Sequence, residues 1–298
     1  MEPLVSSAAQ PAPRSRRLAA LFSLAVSLAL LIAVAWQFRD LDLAKARALV
    51  PASPVFWLAF AGYYLAGPVS EWLVYRRLWA LPLAGIGALL RKLVANELLL
   101  GYLGEAQFYA WARARGKLTD QPFAAIKDMT ILSALVGNGA TLVMLAVAWP
   151  YVSAGQLGMQ GTTAFASLGV VLLTSLGILL FRGRLFTLPH RELMLIAAVH
   201  LARIVLILSF SALMWHAVLP AVAITLWLVL ATLRMLISRL PLMPNKDVVF
   251  AGLTILLLGK GADVAALMAM MAVLLLGAHL IVGTIFGLTG LFEAEKLR

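Results

Sequence analysis

The 298-residue chain contains no cysteine and little charge. Without cysteine there is no disulfide, no thiolate metal site and no cysteine nucleophile. Only 12% of the residues are charged, against roughly 25% in soluble domains, whereas 63% are hydrophobic. Apolar runs of about 20 residues recur along the whole length, and no polar stretch is long enough for a soluble catalytic domain. The composition therefore predicts an all-α polytopic membrane protein.

Recognisable catalytic arrangements are also lacking. The four histidines form no zinc-binding pair with a carboxylate, and the chain has neither a Gly-x-Ser-x-Gly elbow nor a phosphate-binding glycine loop. The 13 acidic residues are spread thinly. We therefore expect no catalytic residues, no metal and no cofactor. The net charge of +11 lies in short loops and at helix ends, which favours an anionic lipid surface over nucleic acid as partner.

Hydropathy and charge predict about six full spans and two re-entrant helical hairpins. Residues 1–17 are expected to form a disordered cytoplasmic N-terminus, residues 18–292 a single transmembrane domain, and residues 293–298 a cytoplasmic tail. The arginine-rich ends of the spans place both termini in the cytoplasm and predict a multi-pass protein of a bacterial inner membrane. The first apolar run, 18–38, also resembles a cleavable signal sequence. The other predicted spans are 54–74, 121–149, 163–181, 192–218 and 264–290.

Two segments that are long enough to enter a bilayer carry charge where a simple span would not. Residues 85–120 and 228–263 align without a gap at a spacing of 143 positions, and the alignment from 85 to 122 has 8 identities over 38 positions. Arg91 falls on Arg234, and a Gly-Lys-x-x-Asp motif recurs at the end of both segments. A duplicated pair of interrupted segments is the best sequence pointer to the substrate site of a transporter.

Each segment contains residues that interrupt a helix. Gly101 and Gly104 are predicted to break the first, before a short helix at 105–115, and the turn at 241–245 contains two prolines that break the second. The alternative for the first segment is one ordinary span, 82–103, whose charges reach water by snorkelling. We favour hairpins because the charges lie near the centre of that span.

The predicted repeat halves lie near 54–150 and 192–290. Charge counting places three full spans between the two hairpins, so the halves would have opposite orientations, as in inverted-repeat transporters. Asp120 and Asp263, the last residues of the repeated motif, are expected to cap the long helices that follow them.

Cations at membrane depth are costly and indicate a functional site. We expect Arg91 and Arg234, with Arg203, to bind the phosphate of a lipid head group, because a planar guanidinium matches phosphate. Internal ion pairing that holds the hairpins in place is the alternative. Glu105, at the first break, is expected to neutralise Arg91 when no lipid is bound. Further candidates are Arg239 and Asn245 for the head group, and Glu97, Asp128, Asp247 and His279 as counter-ions or coupling groups.

Two stretches carry a family resemblance that covers nearly the whole chain. Residues 101–116, Gly-Tyr-Leu-Gly-Glu-Ala-Gln-Phe-Tyr-Ala-Trp-Ala-Arg-Ala-Arg-Gly, precede a predicted long helix, and Leu-Pro-Leu-Met-Pro-Asn-Lys-Asp-Val-Val follows at 240–249. This pattern resembles the flippase-like transmembrane domain of lysylphosphatidylglycerol synthases (multiple peptide resistance factor) and its stand-alone relatives. Glu105 matches best and Pro244 next, whereas Asn245 departs from the usual glycine. The resemblance implies movement of lipids between leaflets, without the soluble aminoacyl-transfer domain of the synthases.

The sequence thus predicts a lipid transporter that moves an anionic or head-group-modified (glyco)phospholipid between leaflets. A non-catalytic membrane partner of a glycosyltransferase or lipid-modifying enzyme is the first alternative. A membrane-embedded head-group transferase is the second. The expected partners are membrane phospholipids or lipid-linked glycans, with a lipid-modifying enzyme and a second copy of the chain left open.

Overall fold

The computed structural model describes residues 51–99, 103–114, 122–153, 185–239 and 261–296, with single helical positions at 169, 172, 173, 177, 180 and 250. Over these residues all regular structure is helical, with seven helices and no strand, as the predicted all-α class requires. The helices are α1 (Pro54–Trp79), α2 (Gly85–Leu98), α3 (Leu103–Ala114), α4 (Pro122–Ser153), α5 (His190–Val218), α6 (Ile224–Arg239) and α7 (Gly261–Lys296).

Within the described part of the chain, α5 alone is long and apolar enough to cross a membrane. Its most apolar 18 residues have a mean hydropathy of 2.4, and only 17% of them are buried. Shorter apolar stretches lie in α6 and α7, at Ile224–Ile237 and Met270–Phe286. One membrane-crossing helix is therefore compatible with a membrane location, and the count of six spans stays a prediction. The predicted span 18–38 lies outside the described residues.

The chain divides into two compact units, and each takes residues from both predicted repeat halves. Unit 1 includes residues 71–127 and 275–298, so it contains the end of α1, all of α2 and α3, and most of α7. Unit 2 includes residues 44–70 and 128–274, and therefore contains the start of α1, most of α4, and all of α5 and α6.

Local contacts fix both ends of α1. At its start the Ser53 hydroxyl accepts the backbone N–H of Phe56 at 3.4 Å, which satisfies one donor of the open first turn. At its end Ala80 adopts a left-handed conformation with φ of 52°, which reverses the chain. The indole N–H of Trp72 then donates to the carbonyl of Pro82 at 3.2 Å and holds the turn against the helix.

The predicted interruption of the first charged segment is confirmed, because α2 ends at Leu98 and α3 begins at Leu103. The Asn96 side-chain oxygen accepts the backbone N–H of Gly104 at 2.7 Å, which caps the start of α3. A Cβ on Gly104 would collide with the backbone carbonyl of Lys92. Gly104 therefore allows close packing of α3 on α2 and lies inside α3, rather than breaking the helix as predicted. The depth of this hairpin in a membrane stays a prediction.

At the 143-residue spacing seen in the sequence, described helices of the two predicted repeat halves overlap. Shifted by that spacing, α2 covers residues 228–241, which overlap α6, and the last residue of α4 falls on the last residue of α7. Asp263 is not the N-cap that we predicted, because α7 begins at Gly261 and includes it in the first turn. A carboxylate there is still favoured by the positive end of the helix. Asp120 and the 241–245 turn lie outside the described residues.

Candidate functional site

A buried ion cluster joins three helices of unit 1. The Lys92 ammonium on α2 lies 2.8 Å from Glu71 Oε2 on α1 and 3.2 Å from Glu105 Oε1 on α3. Lys92 is only 6% exposed, so its charge depends on these two carboxylates for stabilisation. The shorter contact is a hydrogen bond that Lys92 donates to Glu71. Glu71 therefore holds the ammonium more tightly than Glu105 does.

Aromatic rings pack beside this cluster. Tyr75 lies one turn after Glu71 on α1, and Phe108 lies one turn after Glu105 on α3, so each ring shares a helix face with its carboxylate. The rings of Tyr75 and Phe108 are 4.9 Å apart. Trp79 stacks on Tyr75 at 4.5 Å, and Trp111 stacks on Phe108 at 5.6 Å. The cluster thus lies beside an apolar wall, where electrostatic interactions are stronger than in water.

Two buried polar atoms at the cluster have no hydrogen-bond partner among the described residues. They are the Tyr75 hydroxyl and Glu105 Oε2. Both Glu71 and Glu105 act electrostatically on the Tyr75 hydroxyl, which places that donor in the field of the cluster. Because buried polar groups without a partner are rare in native proteins, each such atom calls for an explanation.

Arg91 is also buried, with 3% of its surface exposed. It precedes Lys92 on α2, so two adjacent cations are buried on one short helix. We predicted that Glu105 would neutralise Arg91. Glu105 pairs with Lys92, where α3 approaches α2 at the Lys92 backbone. Neutralisation of Arg91 by Glu105 stays a prediction.

Arg234, the counterpart of Arg91, has an aromatic neighbour. Its guanidinium carbon lies 5.1 Å from the centre of the Phe250 ring, within the range of a cation–π interaction. Phe250 contacts Trp215 on α5 at 6.3 Å, and Trp215 contacts Trp227 on α6 at 5.8 Å. The arginine is half-buried, and this aromatic cluster, Trp215–Trp227–Phe250, lies within unit 2.

Arg203 and Asp128 both make contacts that hold unit 2 together. Arg203 on α5 donates to the Ser133 hydroxyl on α4 at 2.9 Å. Asp128 is fully buried, and its Oδ2 accepts the backbone N–H groups of Thr187 and Leu188 at 2.7 Å each. These bonds satisfy one oxygen of a buried carboxylate and fix the chain just before α5. They are the contacts of a structural anchor, and the predicted role of Asp128 as a counter-ion stays a prediction.

The other predicted site residues are not brought to either cluster by the described contacts. Glu97 is exposed in the last turn of α2, and His279 is half-buried on α7. Arg239 is the last residue of α6. Asn245 and Asp247 lie outside the described residues.

Sequence reasoning missed Glu71 and left Lys92 out of the candidate site. A signal for Glu71 was present, since it is the one acidic residue inside the predicted span 54–74. An ionisable residue within an apolar span needs a partner. The sequence did not indicate that Lys92 is this partner. Glu71 and Lys92 are 21 positions apart on different helices, so no local pattern links them.

Within the described part of the chain, no group of three or more histidine, aspartate or glutamate side chains could hold a metal ion. Comparisons of the chain with protein-family models, with curated proteins and with solved structures find no match. Any function must therefore be argued from the two clusters themselves.

Proposed function

We propose that the chain is an integral membrane protein that moves a lipid with a phosphate-bearing head group between the leaflets of a bacterial inner membrane. In this proposal six spans and two re-entrant hairpins form an inverted repeat. The chain would belong with the flippase-like transmembrane domains of the lysylphosphatidylglycerol synthases, which it resembles at Glu105 and Pro244.

The exposed surface of α5 supports membrane insertion. A core helix of a soluble protein is mostly buried, but only 17% of the apolar window of α5 is buried. Its outward side chains include Leu201 at 54% and Val205 at 55% exposure. Such a surface is unfavourable in water and favourable in hydrocarbon. α5 also lies far from the N-terminus, so it is not a signal sequence.

The ion cluster is the observation that carries the transport proposal. A lysine held by two carboxylates on an apolar chain is costly to bury, and such groups mark substrate pathways in membrane proteins. The longer contact, from Lys92 to Glu105, is the one that a lipid phosphate would displace. Glu71 would keep the ammonium in place, and the buried Arg91 beside it would add a second cation for the phosphate.

Translocation of a fluorescent phospholipid by the purified protein in reconstituted vesicles tests this proposal. We expect Arg91→Ala and Arg234→Ala each to slow translocation by about tenfold or more, because each removes a charge-assisted contact to phosphate. Arg76→Ala is the matched control, since Arg76 is an exposed arginine at the end of α1. Its translocation should equal that of the unchanged protein.

Folding of each variant is checked by monodisperse elution in detergent and by its melting temperature. Translocation at the unchanged rate by well-folded Arg91→Ala and Arg234→Ala would remove the proposed phosphate site. Absence of translocation by the unchanged protein, in vesicles where it is folded, would remove the proposed function.

A further inference from the structure

A donor and an acceptor without partners lie at the same cluster in unit 1. Tyr75 is fully buried, and its hydroxyl has no hydrogen-bond partner among the described residues. Glu105 Oε2 is likewise buried without one, while its other oxygen faces Lys92. The contact between the rings of Tyr75 and Phe108 brings the tyrosine against the face of α3 that carries Glu105.

The chemistry of these two atoms selects among ligands. An ammonium group can donate to Glu105 but cannot accept the Tyr75 proton. A phosphate oxygen can accept from Tyr75 but is repelled by the carboxylate of Glu105. A hydroxyl group donates one hydrogen bond and accepts others, so it satisfies both atoms.

We propose that Tyr75 and Glu105 form a subsite for a hydroxyl group of the lipid head group, carried by either glycerol or a sugar. This inference rests on the proposed function and names its substrate class. The rings of Tyr75 and Phe108 form an apolar wall for the carbon skeleton of such a head group. The phosphate, where the lipid has one, lies towards Lys92 and Arg91.

In this proposal the subsite opens at the longer of the two contacts of Lys92. Glu105 is held at 3.2 Å and Glu71 at 2.8 Å, so Glu105 is the carboxylate that separates from the ammonium more readily. The α2–α3 hairpin keeps its own closure through the bond from Gly104 to Asn96. Entry of a head group therefore requires loss of the Lys92–Glu105 contact and leaves the hairpin closed.

Binding of three lipids with identical acyl chains tests the subsite. Phosphatidylglycerol carries a phosphate and hydroxyls, phosphatidylethanol carries the phosphate alone, and glucosyldiacylglycerol carries hydroxyls alone. Retention of each lipid by the purified full chain is measured by native mass spectrometry in a mild detergent. We expect phosphatidylglycerol to be preferred over phosphatidylethanol by about tenfold, the worth of one or two buried hydrogen bonds.

Tyr75→Phe removes the hydroxyl and keeps the ring. We expect it to reduce the preference for phosphatidylglycerol to about threefold or less, with retention of phosphatidylethanol unchanged. Glu105→Gln, which keeps the shape of the side chain, should also reduce the preference. Tyr109→Phe is the control, because the Tyr109 hydroxyl already accepts a bond from Arg113 at 3.2 Å. It should keep the full preference.

The outcomes separate this inference from the proposed function. Equal retention of phosphatidylglycerol and phosphatidylethanol would overturn the hydroxyl subsite and leave phosphate binding intact. A preference that survives Tyr75→Phe would also overturn the subsite, as expected if only water bridges the two atoms. Retention of glucosyldiacylglycerol in a Tyr75-dependent manner would support a sugar as the hydroxyl source. Failure to retain any of the three lipids would overturn both proposals.

Discussion

The two predicted repeats differ in the residues that stand at matched positions near Arg91 and Arg234. In the first, Arg91 lies next to the ion cluster Glu71–Lys92–Glu105. At the 143-residue spacing that relates Arg91 to Arg234, the cluster positions hold only apolar residues, which are Met214, Met235 and Val248. The second predicted repeat therefore has the matched arginine but no charged residue at the positions that correspond to Glu71, Lys92 and Glu105.

We expect the three charges of the cluster to act as one unit, because each depends on the others for compensation. A lone lysine or a lone carboxylate in an apolar interior costs several kcal/mol, as an approximate figure for an uncompensated charge. Replacement of all three by apolar groups is close to neutral. The buried Met214, 1% exposed on α5, is consistent with an apolar second version of the same site.

The largest expected effect comes from breaking the cluster at its centre. Lys92→Met introduces methionine, the residue at the matched position 235. It leaves the carboxylates of Glu71 and Glu105 without the Lys92 ammonium that compensates their charge. We expect it to lower the free energy of unfolding by about 3–5 kcal/mol. The triple variant E71M/K92M/E105V should lie within about 1 kcal/mol of the unchanged protein, because no uncompensated charge remains. Denaturant titration in a mild detergent measures both.

Met235→Lys is the reciprocal control to Lys92→Met. It introduces an ammonium group at position 235, whereas the positions that correspond to Glu71 and Glu105 are the apolar Met214 and Val248. We expect a loss of stability similar to that of Lys92→Met. If the triple variant is as unstable as Lys92→Met, the three charges do not act as a unit and the comparison between the repeats fails. The triple variant should in any case lose lipid translocation.

Much of the helical order could be predicted from the sequence. The helix that became α5 was predicted at 192–218 and runs from His190 to Val218, because a long apolar run bounded by arginine and proline has few alternatives. The interruption between α2 and α3 was also predicted. The role of Gly104 was not, because a glycine that permits close approach and a glycine that breaks a helix look the same in one sequence.

The site was less predictable than the fold. Arg91, Arg234 and Glu105 were chosen because charge in an apolar run is visible without a structure. The contact between Glu105 and Lys92 was not predicted, because Arg91 and Lys92 are neighbours and periodicity does not decide which of them points towards α3. Neutralisation of Arg91 by Glu105 stays a prediction. The bonds from Asp128 to Thr187 and Leu188 span about 60 positions, and no local pattern encodes such pairings.

A smaller effect is expected where the hairpin closes on itself. Gly104→Ala places a Cβ against the backbone carbonyl of Lys92, which cannot move as a side chain could. We expect a loss of about 1–3 kcal/mol in the free energy of unfolding, from overpacking and a displaced α3. The matched control is Gly139→Ala on α4, where the added Cβ meets nothing within 4 Å.

The second repeat also informs this prediction, because Asp247 stands where the first repeat has Gly104. The aligned sequence therefore predicts no glycine requirement at the matched position of the second predicted repeat. Gly104→Ala with the stability of Gly139→Ala would mean that the close approach of α3 to α2 is not needed for folding. It would also remove the geometric reason for the contact between Glu105 and Lys92.

The smallest expected effect concerns the arginine of the second repeat, whose described neighbour is a ring rather than a carboxylate. A double-mutant cycle that combines Arg234→Met with Phe250→Leu isolates the energy of their cation–π contact from the packing that each change also removes. We expect a coupling energy of about 0.5–2 kcal/mol, because the pair is partly shielded from solvent. The same cycle on Arg76 and Trp72, 4.9 Å apart with the arginine exposed, should give a lower value. A coupling near zero for Arg234 and Phe250 would show that the ring does not hold the guanidinium. The contrast between a lysine held by carboxylates in the first predicted repeat and an arginine held by a ring in the second would then fail.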